Sequence, residues 1–372
     1  MRLLHTSDIH YGLSLNEQPF DEIQEEVNEQ ILKAVVENNI DGVIIAGDVF
    51  DRPVVNQKAL GRYDKLITDL FNKGVAVYAI AGNHDAPERL ALLDELLSKN
   101  NIYISGKLTS EVSPICVGNA DIYLIPYFNF DTVKALYPDE EFENYQQAFS
   151  YVTSKILEKA DKSRFNIAVS HCFVIGGQLS ESDHSARIGQ ALAVSAKAFE
   201  GFDYTALGHL HGPHFVGEKV RYSGTPYPYS FSETGGEKTF TIIDTESGEI
   251  STVTPEYSRT LRVIEGETEE ILSKSENDEH KNDYVKIQLT DKFATGELYN
   301  SFKKIYPNLL SFDGKIRADA ITASALRVDK LDKMSEYEIL ESYFSDREEL
   351  LSDFEREWFE RALNQCEKGV AE

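Results

Sequence analysis

The residues Gly-Val-Ile-Ile-Ala-Gly-Asp-Val-Phe-Asp, positions 42–51, decide the fold of this chain. An apolar run of this length bounded by glycine is typical of a buried central strand in a parallel sheet. Gly47 allows the chain to turn directly after the run. The turn places Asp48 at the carboxyl end of the strand, where ligands bind in open α/β sheets. The stretch therefore predicts a parallel sheet with Asp48 at its functional edge.

Four other strand-like runs also end on side chains that can bind a metal. They begin at residues 2, 75, 165 and 203 and are followed, in that order, by Asp8 and His10, by Asn83, His84 and Asp85, by His171, and by His209 and His211. Two metal ions held about 3.5–4 Å apart form a clamp for in-line phosphoryl displacement, and such a pair needs one shared anionic ligand. Asp48 is placed to be that ligand.

Five short motifs occur in the order Asp-x-His, Gly-Asp-x-x-Asp, Gly-Asn-His-Asp, His and Gly-His-x-His. Each motif alone is more often a cap or a turn. Together and in this order they resemble the calcineurin-like metallophosphoesterases. Longer strings resemble the DNA nuclease subunits of that family: His-Thr-Ser-Asp-Ile-His-Tyr-Gly at 5–12, Ala-Leu-Gly-His-Leu-His at 206–211, Arg-Tyr-Ser-Gly-Thr-Pro at 221–226 and Ser-Phe-Ser-Glu at 230–233. The resemblance covers essentially the whole chain.

The resemblance implies a ligand set for each of two ions. One ion would be held by Asp8, His10, Asp48 and His211, and the other by Asp48, Asn83, His171 and His209. Imidazole, carboxylate and amide ligands without a thiolate suit manganese. Iron, zinc and magnesium are the alternatives.

The resemblance also implies a role for His84, and two neighbouring residues are candidates for supporting roles. His84 would contact the scissile phosphate and help the leaving oxygen depart, as a general acid does. Asp85 would orient the ring of His84 through a hydrogen bond to the ring nitrogen that does not face the substrate. Arg89 either binds phosphate or caps a helix, and the sequence leaves both roles open.

The function implied is a manganese-dependent nuclease, an exonuclease on duplex DNA ends and an endonuclease on single strands or hairpins. It would act with an ATPase subunit in DNA end processing and repair, as a homodimer within a heterotetramer. One alternative is a phosphatase or nucleotide phosphodiesterase on the same scaffold, which would not require the additional C-terminal regions. Another is a non-catalytic scaffold that grips DNA ends, which the complete set of ligands argues against.

Composition sets the outer limits on these functions. The chain has 372 residues, of which 41% are hydrophobic. None of its apolar segments approaches the length of about 18 residues that a membrane-spanning helix needs. Its three cysteines are far apart, which excludes a disulfide framework. We therefore expect a cytoplasmic protein without membrane contact. The net charge of −26 argues against unaided DNA binding, so bound cations and a basic partner would supply positive charge.

The pattern of elements predicts a two-sheet α/β sandwich flanked by helices, followed by a small α+β domain and C-terminal helices. The family resemblance implies that the small domain is a capping domain. We place the nuclease domain at residues 1–255, the capping domain at 256–330 and a helical segment at 331–372. Strands near 203–207, 220–223 and 238–244 are expected in the second sheet. Residues 265–283 are expected to be an exposed loop, and Leu90, Leu93 and Leu97 to mark one helix.

The final segment carries an apolar stripe that includes Leu351, Phe354 and Trp358. Such a stripe usually packs on its own domain. The family resemblance places it where the partner ATPase binds, and aromatic anchors at helical spacing are typical of a helix that lies in a partner's groove. We therefore predict that these three residues bind the ATPase.

Overall fold

The computed structural model describes residues 1–178 and 192–315. Within these ranges two six-stranded sheets pack against each other. In spatial order, the first sheet consists of Ile250–Val253 (β14), Phe240–Asp244 (β13), Arg2–Thr6 (β1), Gly42–Ala46 (β4), Ala76–Ile80 (β5) and Ile102–Ser105 (β6). The second consists of His214–Val216 (β11), Val220–Tyr222 (β12), Tyr204–Gly208 (β10), Phe165–His171 (β9), Ala120–Ile125 (β8) and Ile115–Val117 (β7). The expected sandwich is confirmed.

The central strands of both sheets are parallel. In the first sheet β1, β4, β5 and β6 run in one direction, and in the second β8, β9, β10 and β12 do so. Strands β4 and β5 are buried along their whole length because a core lies on each face of the sheet. One of these cores joins the two sheets and includes Ile44, Ile80, Ile167 and Ala206.

Helices cover the outer faces of the sandwich, and a short antiparallel pair, Ser14–Leu15 (β2) with Gln18–Pro19 (β3), precedes the first of them. The α-helices in the described ranges are Asp21–Glu37, Gln57–Asn72, Pro87–Leu90, Asp94–Leu97, Phe130–Leu136, Tyr145–Lys159, Thr268–Ser275 and Gly296–Ile305. The helix Asp21–Glu37 buries Ile23, Val27 and Ile31, spaced one turn apart, as the apolar periodicity predicts. None of the helices in the described ranges has the length and apolarity that a bilayer crossing would need.

The predicted sheet membership of Phe240–Asp244 is wrong. This strand pairs antiparallel with β1 in the first sheet, with Thr241 opposite His5. The chain therefore crosses between the sheets after β12. The segment after Ser247, which has no clear periodicity, adds β14 to the same edge. A strand's partner depends on distant residues, so its own apolar pattern does not identify the sheet that it joins.

Two local predictions near helices also need correction. The expected helix through Leu90, Leu93 and Leu97 is broken into two short helices, because Leu93 adopts a left-handed backbone conformation with φ of 65°. The expected exposed loop at 265–283 contains the helix Thr268–Ser275, whose Ile271 is buried. Too few apolar residues mark this helix for its periodicity to stand out.

A third, smaller sheet follows the sandwich. Its strands Leu261–Gly266 (β15), Tyr284–Leu289 (β16) and Leu309–Asp313 (β17) are all parallel, and the last two helices connect them. They enclose a core of their own with Val285, Ile287 and Phe302. The predicted mixture of helix and strand is therefore observed in this region up to residue 315. The predicted C-terminal segment 331–372 lies outside the described residues.

Candidate metal centre

The carboxyl ends of strands from both sheets converge at one edge of the sandwich. The N–H of Asp8 donates to the Gly47 carbonyl over 3.0 Å, and the N–H of His10 donates to the Asp48 carbonyl over 3.1 Å. The ring Nδ1 of His171, from the second sheet, contacts the Ala46 carbonyl at 2.8 Å. The two sheets thus meet directly at Asp48.

Several of the predicted ligands have an unusual backbone conformation. Asp8, His10, Asp48 and His209 have φ values of 52°, 50°, 48° and 98°. Non-glycine residues rarely adopt positive φ, and such residues cluster at functional sites. In this site the conformation turns each side chain from the strand end toward the centre.

Two glycines allow the strand ends to approach closely. Gly47 has φ of 89°, and a Cβ at this position would lie 2.8 Å from Cγ of the His171 ring. A Cβ on Gly82 would lie 2.8 Å from Cγ of Asp48. Real Cβ atoms do not make such contacts, so any larger residue would push the ligand side chains apart.

One group of potential ligands contains Asp8, His10 and His211. Their ligating atoms lie within 4.8 Å of one another. The Nε2 of His10 is 3.9 Å from Oδ2 of Asp48. The structure therefore brings together the four residues predicted for the first ion.

The second group surrounds Asn83. Its Oδ1 lies 3.0 Å from Nε2 of His171 and 2.9 Å from Nδ1 of His209. The Nε2 of His171 also lies 3.3 Å from Oδ2 of Asp48. Asp48 thus approaches histidines of both groups with the same oxygen, as a shared ligand would.

The donors at this centre fit divalent cations. Both ring nitrogens of His10 are buried and have no hydrogen-bond partner, which is costly for a polar group unless it binds a ligand. Burial also lowers the pKa of His10 to about 3, so its imidazole is neutral and able to ligate at pH 7. Imidazole, carboxylate and amide oxygen together suit a first-row divalent ion.

Before a cation binds, Asp48 and His171 form an ion pair at the centre, and a metal ion bound at Nε2 of His171 would displace the proton there. Burial opposes ionisation of Asp48, but the charge and hydrogen bond of His171 hold the pKa of this carboxyl below its usual range. Burial likewise opposes protonation of His171, and the neighbouring Asp48 charge outweighs it and raises the pKa to about 9. Asp48 is therefore an anion at neutral pH, as a shared ligand must be.

His84 lies at the rim of the first group. Its backbone N–H donates to Oδ1 of Asp48 over 2.9 Å, and its Nδ1 lies 2.8 Å from the Asp51 carbonyl. One of its ring nitrogens lies within 4.8 Å of ligating atoms of His10 and Asp48. Because a carbonyl only accepts hydrogen bonds, Nδ1 donates a hydrogen bond to it, and Nε2 is the ring nitrogen left for contact with other groups.

The hypothesis that Asp85 orients the His84 ring is wrong. The Asp85 carboxylate accepts three backbone hydrogen bonds, from Gly82 at 2.8 Å, Phe50 at 2.9 Å and Val49 at 3.2 Å. Asp85 therefore holds the turn that follows Asp48. The Asp51 carbonyl takes the orienting role, and a backbone atom of this kind has no signature in the sequence.

Comparisons with known proteins identify the family of this chain. Residues 1–213, more than half of the chain, match the sequence model of the calcineurin-like phosphoesterases. The chain belongs to this family. Residues 258–348 match the model described as the type 5 capsule protein repressor C-terminal domain. The SbcD component of the nuclease SbcCD from Staphylococcus epidermidis is 29% identical over 351 residues, which cover 93% of each protein.

Two solved structures resemble this phosphoesterase weakly. The protein TT1561 of Thermus thermophilus has a TM-score of 0.42 and 14% identity, with 68% of this chain and 99% of that chain covered. A dimetal phosphatase from Danio rerio has a TM-score of 0.41 and 12% identity, with 69% of this chain and 99% of that chain covered. Membership in the calcineurin-like phosphoesterases implies that the centre binds divalent metal.

Arg89 lies outside the ligand groups of the phosphoesterase centre. Its side chain is exposed at the end of the short helix Pro87–Leu90, and its Nη1 donates to the Pro53 carbonyl over 2.7 Å. This hydrogen bond braces the loop whose Asp51 carbonyl holds His84. The observed contact of Arg89 is thus with the loop that shapes the phosphoesterase site.

Glu233 is the residue of the phosphoesterase site that sequence reasoning did not assign. Its Oε1 accepts a hydrogen bond from Nδ1 of His211 over 3.0 Å, and its Oε2 pairs with Lys238 at 2.6 Å. Burial opposes ionisation of Glu233, but these two partners hold its pKa below the usual range. The only signal for it was its place in the string at 230–233, which carried the family resemblance.

The predicted partner-binding residues Leu351, Phe354 and Trp358 lie outside the described residues.

Proposed function

We propose that this chain is a divalent-metal-dependent DNA nuclease. The observation that supports it most strongly is the position of Asp48, whose Oδ2 lies 3.3 Å from His171 and 3.9 Å from His10, between two groups of ligands. The relative in Staphylococcus epidermidis is described as a nuclease and as part of SbcCD. By analogy the substrate is DNA and the partner is an SbcC-like ATPase.

The proposed cofactor is a pair of Mn2+ ions, with Fe2+, Zn2+ or Mg2+ as alternatives. Asp8, His10, Asp48 and His211 would hold one ion, and Asp48, Asn83, His171 and His209 the other. When bound, such a pair supplies Lewis acidity that activates water and offsets the charge that develops on the phosphate.

The proposed catalytic residue is His84. The Asp51 carbonyl keeps Nδ1 as a hydrogen-bond donor, so Nε2 is the nitrogen that transfers a proton. With the ring protonated on both nitrogens, Nε2 would donate its proton to the oxygen of the departing nucleotide, and Nδ1 would keep its own proton. Asp85 would keep the turn after Asp48 in place through the backbone, and Arg89 would contact the substrate backbone or brace the loop at Pro53.

The proposal is tested by assays of the purified chain with Mn2+ on linear duplex DNA, a DNA hairpin and a mononucleotide phosphomonoester. We expect cleavage of both DNA substrates, its loss with a chelator, and little release of phosphate from the monoester. Rapid hydrolysis of the monoester with intact DNA would instead identify a phosphatase. Binding of DNA ends without cleavage would identify a scaffold.

We propose three functional regions with boundaries at residues 255 and 330. The separate core of the small sheet, which includes Val285 and Phe302, supports a capping domain at 256–330 beside the nuclease domain 1–255. The small sheet contacts the nuclease domain at the start of its first helix. The rings of Phe20 and Tyr284 are 5.0 Å apart, and Arg259 pairs with Glu22 at 2.6 Å. This position would let the domain shape access for DNA.

We propose that two copies of the chain form a homodimer within a heterotetramer with the ATPase. Leu92, Leu93 and Leu96 are 66%, 61% and 55% exposed on one short segment. Neighbouring exposed leucines are a feature of surfaces that a partner covers, which supports this segment as the dimer interface. We expect Leu96→Glu to convert the dimer to a monomer in analytical ultracentrifugation.

The matched control for the dimer is Val36→Glu. Val36 is also exposed, by 59%, but it lies on the helix Asp21–Glu37, away from the leucine segment in the sequence. The control variant should remain dimeric. A wild-type protein that is monomeric at micromolar concentration without its ATPase, or a dimeric Leu96→Glu variant, would contradict this interface.

We propose that the segment 331–372 binds the SbcC-like ATPase through Leu351, Phe354 and Trp358. Replacing Phe354 and Trp358 with alanine should abolish co-purification with the ATPase, because large aromatic anchors dominate binding at such interfaces. Manganese-dependent cleavage of short DNA should remain. Glu360→Ala in the same segment serves as the control, and undiminished association of the double variant would contradict the assignment.

A further inference from the structure

We propose that Glu233 and Lys238 set the tautomer of His211 so that its Nε2 faces the metal centre. This positioning role rests on the proposed function only in taking His211 as a metal ligand. It adds two residues that no motif of the ligand set contains. Glu233 and Lys238 both lie in the segment that follows β12 of the second sheet. Lys238 stands shortly before β13, which belongs to the first sheet.

The Glu233 carboxylate contacts the ring of His211. Oε1 of Glu233 lies 3.0 Å from Nδ1 of His211, and the Glu233 side chain is only 3% exposed. The other carboxylate oxygen, Oε2, is paired with the ammonium group of Lys238. A carboxylate held in such an ion pair only accepts hydrogen bonds, so Nδ1 of His211 must carry the proton. In the neutral ring, Nε2 is then the unprotonated nitrogen, the form that can ligate a metal ion.

Lys238 fixes the orientation of the side chain at position 233. Its Nζ donates to Oε2 of Glu233 at 2.6 Å, to Oγ1 of Thr225 at 2.7 Å and to the carbonyl of His211 at 2.8 Å. An ammonium group has three donors, and each has an acceptor here. Lys238 therefore requires that the side-chain atom of residue 233 that faces its ammonium group be a hydrogen-bond acceptor. It also binds the backbone of the ligand histidine itself.

A third observation ties the neighbouring string Arg-Tyr-Ser-Gly-Thr-Pro to the same histidine. Gly224 has φ of 71°, and a Cβ on it would lie 2.6 Å from the carbonyl oxygen of His211 and 2.8 Å from the nitrogen of Pro213. The hydroxyl of Thr225 approaches Oε2 of Glu233 at 3.1 Å. The strings at 221–226 and 230–233 thus position His211 from two sides.

Glu233→Gln separates this positioning role from a merely structural one. With Lys238 present, the amide oxygen of the glutamine must face the ammonium group, so the NH2 group faces Nδ1 of His211. Nδ1 then has to accept a hydrogen bond, and the proton moves to Nε2. The lone pair that would bind the metal is lost although the side chain has nearly the same size.

Adding Lys238→Met should reverse the effect. Without the ammonium group the amide can turn over, present its oxygen to Nδ1 of His211 and donate its NH2 to Thr225. The double variant should therefore regain metal affinity although it has lost more native contacts than the single variant. A structural role alone predicts the opposite order.

The experiment measures Mn2+ binding by calorimetry in the full chain and in the two variants. We expect Glu233→Gln to weaken one of two sites by about 10- to 100-fold, as loss of an outer partner of a ligand histidine usually does, and to leave the other site unchanged. The double variant should recover most of that loss. Glu237→Gln is the matched control, because Glu237 is exposed and bonds to Thr254 instead.

A second measurement reads the tautomer directly and needs no metal. Nitrogen-15 NMR of the metal-free wild-type protein should show the His211 proton on Nδ1. A proton on Nε2 in the wild type would overturn the inference, as would a folded double variant that binds Mn2+ no better than Glu233→Gln. The proposed function fails separately, because a wild-type protein that binds two ions but cleaves no DNA would leave this tautomer assignment intact.

Discussion

Asp48→Ala should abolish both metal binding and hydrolysis while the fold survives. Oδ2 of Asp48 lies near His10 of the first ligand group and near His171 of the second, so removal of this carboxylate affects both ions. Loss of an outer partner of a ligand typically costs about 10- to 100-fold in metal affinity or activity, and loss of a shared ligand should exceed that. Calorimetry with Mn2+ and a duplex-end nuclease assay measure the two effects, and circular dichroism checks the fold.

The control for Asp48→Ala is Asp244→Ala. Asp244 also ends a strand of the first sheet, but β13 is antiparallel to β1, so Asp244 lies at the opposite edge, where it pairs with Arg2 at 3.2 Å. This exposed pair contributes little to stability. The control should retain metal and activity. Undiminished manganese-dependent cleavage by Asp48→Ala would rule out the two-metal assignment.

His84→Gln should keep both ions but slow hydrolysis by about 100- to 10,000-fold, the usual effect of losing a general acid. The glutamine can still accept and donate hydrogen bonds, but it cannot transfer a proton at the position of Nε2. The expected loss is in kcat, with KM for DNA nearly unchanged. Elemental analysis of the purified variant counts the bound metal.

The metal count is decisive because a His84 nitrogen lies close to the ligating atoms of His10 and Asp48. If His84→Gln binds one ion fewer than the wild type, His84 is a ligand and its assignment as the acid fails. His280→Gln is the control, since His280 is exposed and lies near the small sheet. It should have wild-type metal content and rate.

The strands that deliver the ligands could be predicted from local patterns. Buried apolar runs, the glycines that end them and the polar residues that follow are all short-range features, and β1, β4, β5, β9 and β10 appear where these features occur. The positions of Asp8, Asp48 and His171 at one edge then follow from the parallel arrangement of the central strands.

Features that depend on distant partners could not be predicted. Phe240–Asp244 pairs antiparallel with β1 in the first sheet. The local sequence of Phe240–Asp244 does not identify β1 as its partner. The partner of Asp85 is the backbone after Asp48 and not the His84 ring. Backbone donors are the same at every non-proline residue, so no sequence pattern distinguishes the ones that a carboxylate will meet.

The sequence by itself therefore determined the fold class and the set of residues that could bind metal, because burial, turning and ligand chemistry depend on residue type and short spacing. Only the tertiary structure decided how those residues are held: the Asp51 carbonyl beside His84, and Glu233 with Lys238 behind His211. Such contacts join segments that are far apart in the chain, and their hydrogen-bond directions depend on three-dimensional distances that local sequence does not encode.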